Sequence, residues 1–406
     1  MTLVFSHFKL RCALALPVLA LALALTCAGT SLATPYIPAD GNRVVEQLPS
    51  RASPVQRELL QLRAELSKNP NDLPRASALA RRYIEQARIE GDPRYLGYAQ
   101  AALAPWWQLA QAPSEVLVLR ATLRQSTHQF ALALADLDTV LQRDTDNVQA
   151  WLTRATVHLV TGNYSAAKAS CMRLHSRAPA LIVQACLSSI GSVNGDAVAS
   201  YAKLNAMLER HPETNLEVRS WVQTLLAEMA ARAGDKGAAD ALFQRAMASG
   251  EPDSYLLGAY ADFLLDQGRA PEAVKLLRDK GRIDALLLRY AIALKLAQSA
   301  DAPAQAQALR ARFDAAMLRG DTVHQREQAR FELTLQNNAN TAVKLAMLNW
   351  AVQKEPADLR ILVETAAASG ERAAAQTALD WVAKSGIEDR TIAAPLAKLR
   401  AAQGKR

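Results

Sequence analysis

Ser200-Tyr201-Ala202-Lys203 is the stretch of this chain that most invites chemistry. A serine placed three residues before a lysine can be activated by it for attack on an acyl group, provided a second lysine on a strand completes the site. Lys384-Ser385-Gly386 supplies a lysine, but at what reads as a helix end. Ser192-Val193-Asn194, the nearest Ser-x-Asn, precedes the serine instead of following it. Ser200 also falls where two helices should cross and a small residue is needed. After residue 33 the histidines are His128, His158, His175, His211 and His324, and no two stand at metal-ligand spacing. A Gly-rich phosphate loop, C-x-x-C and H-E-x-x-H are all missing. The expectation is a non-enzymatic protein with no cofactor and no metal.

The elements that would have to position any site are helices. Half of the 406 residues are hydrophobic, yet 5% are aromatic, and Ala and Leu dominate, which suits packed helices better than sheets. From residue 53 to 400 apolar residues recur at three and four, the helical spacing. Turn signals interrupt them regularly: NPND at 69, GDP at 91, RDTDN at 143, APA at 178, HPET at 211, GEPD at 250, GDT at 320, KEPAD at 354 and SGIED at 385.

The first 33 residues read as an export signal. Lys9 and Arg11 precede an apolar run from Cys12 to Ala28, and Ser31-Leu32-Ala33 offers the small residues at which a signal is cut. Two alternatives are an inner-membrane anchor through residues 12–28 and lipidation at Cys27, the latter with threonine poorly placed before it. Cleavage would leave Thr34 first and lower the net charge from +8 to +6. The charges are dispersed, without a basic stripe or interleaved aromatics, so nucleic acid is not an expected partner. A periplasmic address follows, with membrane contact only if the signal is retained.

Two stretches, LVLRATLRQSTHQFALALAD from Leu117 and WLTRATVHLVTGNYSAAKAS from Trp151, repeat each other at a distance of 34 residues. Arg120-Ala121-Thr122 falls on Arg154-Ala155-Thr156, Phe130 on Tyr164 and Ala133 on Ala167. In the second, Trp151, Ala155, Gly162, Tyr164, Ala167 and Pro179 occupy the positions of the tetratricopeptide repeat, which the chain resembles. The unit from Ser220 supplies Leu226-Ala227, Gly234, Ala239, Phe243 and Ala246. That from Ser254 supplies Tyr260-Ala261, Gly268, Ala273 and Leu277. A unit from Leu181 keeps Gly195 and Pro212, a late one keeps Leu362, Gly370, Ala375 and Leu379, and poorer copies cover 71–105, 284–318 and 321–356.

The resemblance implies an all-α, right-handed solenoid of helix–turn–helix repeats. Its expected domains are the signal over 1–33, a linker over 34–52, about eight units over 53–388, and a capping helix and tail over 389–406. It also implies a concave groove lined by the first helix of each unit, in which a protein or extended peptide binds. Carried onto this sequence, the groove contacts are Thr122, Gln125, Thr156, Ser189, Trp221, Glu228, Arg232, Tyr255, Asp262 and Asp266, turning acidic toward the last two. The lysine–asparagine clamp for a terminal carboxylate is not visible. A polymer-handling module of exopolysaccharide export or assembly is the alternative function.

Three departures stand out. Arg120 and Arg154 replace the leucine of the repeat, either pairing with carboxylates such as Asp136 or Asp138 at the core edge or anchoring a ligand. Trp106-Trp107 either fills an irregular junction or forms an exposed platform. Cys171 and Cys186 are centred beside Pro179, which puts them at one height on antiparallel helices, while the repeat register aims Cys171 at the core and Cys186 at the inner surface. A disulfide and two buried free thiols both stay open. The partner, its pathway and the oligomeric state are not legible.

Overall fold

A computed structural model describes residues 53–404 of the protein. The signal over 1–33, the anchor and lipidation alternatives and the linker over 34–52 lie outside the described residues. Among the described residues are 21 α-helices, one 3-10 turn and no strand. Eight helical hairpins run from Ser114, and each is named here by its number. They pair Ser114–Ser126 with Phe130–Arg143, Val148–Val160 with Tyr164–Met172, Ala180–Gly191 with Ala197–Arg210, and Leu216–Ala233 with Lys236–Ala248. The series continues with Ser254–Asp266 and Ala270–Leu277, Asp284–Leu296 and Ala302–Leu318, Gln325–Thr334 and Ala339–Val352, and Pro356–Ser369 and Arg372–Ser385. Before them stand Pro54–Lys68, Leu73–Glu90, Arg94–Ala102 and the short Ala104–Trp107. Ala393–Gly404 follows them and packs on Pro356–Ser369.

Local chemistry explains where the helices start and how close they come. Asn147 and Asn163 accept the backbone N–H of Ala150 and Ala166, capping both helices of hairpin 2. Asn215 does the same for Val218, so hairpin 4 starts at Leu216, four residues before the expected Ser220. The crossing alanines are fully or almost fully buried in each good copy: Ala121 with Ala133, Ala155 with Ala167, Ala227 with Ala239, Ala261 with Ala273. A methyl side chain there lets the helix axes approach, while Leu117, Leu137, Leu226 and Leu277 fill the grooves beside them.

The arginines at the leucine position are core-edge ion pairs. Arg120 donates to both carboxylate oxygens of Asp136 at 2.9 and 2.7 Å and also to the Leu109 carbonyl, with both side chains buried. Arg154 reaches Asp138 at 3.0 Å and Ser170 Oγ at 2.9 Å in a more open setting. Trp106 and Trp107 are half-buried against the first hairpins, not laid out as a platform. Cys171 and Cys186 are bonded, with their Cα atoms 5.8 Å apart, linking hairpins 2 and 3. Ser200 is buried, its carbonyl accepting from Ser188 Oγ; Lys203 stands 3.8 Å from Asp196 and Lys384 lies over the Trp381 ring.

The solenoid closes on itself. One apolar cluster contains Ala155, Tyr164, Ala167, Cys171, Ile190 and Val193 from hairpins 2 and 3 together with Val343, Trp350, Leu362 and Ala378 from hairpins 7 and 8. The Lys354 N–H donates to the Val160 carbonyl at 2.7 Å, and Tyr164 meets Trp381 edge-on at 5.9 Å. Gly162 turns hairpin 2 at φ +76°, and a β-carbon there would overlap the Trp381 ring, so this glycine serves both the turn and the closure. At the opposite edge Arg88, ending Leu73–Glu90, bonds Glu217 and Asp253 at 2.6 Å each, at the starts of hairpins 4 and 5.

Candidate functional site

Closure narrows the expected groove to a half-open cavity of about 480 Å³. The first helices of hairpins 2 to 8 all reach it, through Leu159, Ser189, Glu228, Asp262, Arg289, Arg326 and Ala357. Of the expected contacts, Ser189, Glu228, Arg232, Tyr255 and Asp262 line the cavity, and Asp266 lines a smaller adjoining recess. Thr122, Gln125, Thr156 and Trp221 do not line either space. Thr122 and Thr156 spend their hydroxyls on the carbonyls of Val118 and Leu152, one turn back in their own helices.

The acidic end of the expected groove is already occupied by the chain's own arginines. Asp262 accepts from Arg289 at 2.7 Å and from Arg330 at 2.6 Å. Asp266 is bidentate with Arg360 at 2.6 Å, and Arg360 also meets Glu364 at 2.8 Å. Burial alone would raise the Asp262 pKa, but Arg289 and Arg330 outweigh it and hold the carboxyl well below its ordinary value. An open acidic wall for a basic ligand is therefore replaced by a neutralised one. Arg326 sits similarly among Glu355, Asp358 and Glu327 at 3.1, 3.2 and 3.3 Å. Burial opposes its charge, and the three carboxylates still push its pKa well above normal.

Glu228 differs from these carboxylates. Its two oxygens accept one hydroxyl, that of Tyr255, at 3.0 and 2.9 Å. Burial raises its pKa, and neither the charge of Arg232 nor the Tyr255 hydroxyl fully offsets that. Tyr255 is 55% exposed and lines the cavity. Leu159, Val193, Leu225, Met229, Ile283 and Leu286 provide the apolar part of the lining.

Sequence reasoning missed Arg289, Arg326, Arg330, Glu355 and Arg360. Each lies in or beside the first helix of a degenerate hairpin, where the repeat signature was too weak to set a register. A usable signal was present for one of them: Arg330 stands two 34-residue periods beyond Asp262.

Fold and site together define a closed solenoid of tetratricopeptide-like hairpins around a mixed-charge cavity. No protein-family model and no curated protein matches the sequence. Among solved structures it is similar to a tetratricopeptide repeat protein from Parabacteroides merdae, at 16% identity over 56% of this chain and 86% of that one, with a TM-score of 0.42. It is also similar to the human IFIT1 dimer with m7Gppp-AAAA, at 13% identity over 86% and 85%, with a TM-score of 0.43. Yeast Tom70 is similar at 12% identity over 86% and 89%, with a TM-score of 0.36.

Proposed function

We propose that the protein is an exported, non-enzymatic scaffold of the cell envelope that holds a peptide segment of a protein partner in this half-open cavity. The observation that carries this reading is the convergence of seven first helices on one half-open space with both apolar and polar walls. A cavity of about 480 Å³ lies within the range usual for small-ligand sites, and here it has room for a few residues of peptide. The Cys171–Cys186 bond supports the oxidising address that an export signal implies. The polymer-handling alternative has less support, since Tyr164 and Tyr255 are the aromatic rings lining the cavity.

The test is to fill the space. Ala259 is half-buried at the cavity wall, so Ala259→Trp would occlude it. A partner co-purified from envelope extract with the wild type should be lost with this variant, provided the helical circular dichroism is unchanged. Equal retention would sink the cavity reading. Cell fractionation with N-terminal sequencing checks the address: the expected product is an envelope protein starting at Thr34, and a cytosolic chain starting at Met1 would overturn export.

A further inference from the structure

Three ionic groups in the cavity lack a partner of opposite charge: Glu228, Arg232 and Lys354, whose ammonium instead donates to the Trp350 carbonyl at 2.6 Å and lies over that ring. Arg88, Arg289 and Arg326 each bond at least one carboxylate, and Asp262, Glu327 and Glu355 each bond at least one arginine. Glu228 and Arg232 are the exceptions among the lining carboxylates and arginines. Four residues apart on Leu216–Ala233, they have the spacing at which glutamate and arginine ordinarily pair across a helix turn. No ion pair within 4.0 Å joins them. Tyr255 holds the carboxylate from hairpin 5, and Ser192 Oγ, at the end of the first helix of hairpin 3, accepts from Arg232 Nη2 at 3.2 Å. The pair is thus drawn apart by neighbours on either side, with an acceptor and a donor both facing the cavity. Ser189 lines the wall beside Ser192, and Leu225 and Met229 flank the charged pair on the same helix.

We infer that Glu228 and Arg232 form a subsite for an α-amino group and its adjacent carbonyl or carboxylate, so that the cavity takes the N-terminal end of a short apolar peptide. An ammonium supplies Glu228 with the cation the fold withholds. The neighbouring oxygen accepts from Arg232, whose planar fork suits a carbonyl or a carboxylate. The apolar lining then covers the first side chain. Lys354 is held by the Trp350 carbonyl and ring, and the other wall charges are satisfied by one another, so a ligand of high net charge gains little from them, whereas a zwitterion or an N-terminal residue matches Glu228 and Arg232. This rests on the peptide-binding reading above and sharpens it to one end of the peptide. A free amino acid carries the same chemistry and is the second possible source.

The test titrates the full chain calorimetrically with four probes: Leu-Ala-Ala, N-acetyl-Leu-Ala-Ala, Leu-Ala-Ala amide and leucine. The expected result is that acetylation weakens binding by about tenfold or more, the scale of one charge-assisted hydrogen bond, while amidation changes it less than about threefold. Glu228→Gln, which can still accept from Tyr255, should weaken Leu-Ala-Ala to the level of its acetylated form, and Arg232→Met should weaken both peptides. Leucine binding as tightly as Leu-Ala-Ala would assign the same subsite to free amino acids. Acetylated and free peptides binding equally would overturn the inference and leave peptide binding standing. No binding by any probe would overturn the subsite, while the Ala259→Trp experiment separately decides the partner reading.

Discussion

Arg330 reaches Asp262 at 2.6 Å across 68 positions of chain, and Arg289 holds the other carboxylate oxygen. This contact joins hairpins 5 and 7 across the inside of the solenoid. Removing the charge with Asp262→Asn leaves two arginines facing a neutral amide in a partly dry setting. The expected cost is about 3 kcal/mol of unfolding free energy, measured by urea denaturation at pH 7. The pH dependence has a definite sign. Because the folded pKa of Asp262 is held below the unfolded one, its contribution is complete above the unfolded value of about 4 and declines as the pH falls below it. Wild type and variant should therefore converge on acidification, and a constant gap down to about pH 2 would contradict the assignment.

Glu228 should behave in the opposite way. Its folded pKa is raised, so the folded protein binds the proton more tightly than the unfolded chain does, and ionisation at neutral pH costs stability. Glu228→Gln is expected to raise the thermal midpoint at pH 7, with the gain vanishing below about pH 4, where the unfolded carboxyl is protonated too. A lowered midpoint would mean that the carboxylate is a structural partner and not a group kept for a ligand.

Equivalent repeat positions should carry unequal costs. Arg120 and Asp136 are 4% and 7% exposed in their side chains, whereas Arg154 and Asp138 are 24% and 53% exposed. Arg120→Ala strands a buried carboxylate, which Arg124 at 2.6 Å only partly compensates, and should cost about 3 kcal/mol. Arg154→Ala should cost less than about 1 kcal/mol. Chemical denaturation of the two variants side by side makes the comparison.

Reduction should loosen the joint between hairpins 2 and 3. The bond closes a loop with a sequence separation of 15, for which chain entropy gives about 3 kcal/mol. Cys171 lies in the apolar cluster that also receives hairpins 7 and 8, so the loss is expected to reach the closure as well. The measurement is the urea midpoint with and without dithiothreitol, alongside a thiol titration that should find no free Cys171 or Cys186 before reduction.

Local architecture was legible in the sequence: helices from the three-and-four spacing, their breaks from turn signals such as RDTDN at 143 and GEPD at 250, and close crossings from Ala155, Ala167, Ala227 and Ala239. These are set within a turn or a hairpin, by capping bonds and small side chains that act on nearby residues, so a 34-residue register exposes them. The tertiary structure alone decided that the solenoid closes, that Asp262 and Asp266 belong to Arg330 and Arg360 at separations of 68 and 94, and that Thr122 and Trp221 are left off the cavity. The physical reason is accumulation. Each hairpin adds a small rotation to the next, and a sequence specifies each step through local packing, while the sum over seven steps selects which distant residues meet. Glu228 and Arg232 lie on both sides of that divide. Their spacing was legible from the start, but their separation into two open groups depends on Tyr255 and Ser192 arriving from neighbouring hairpins.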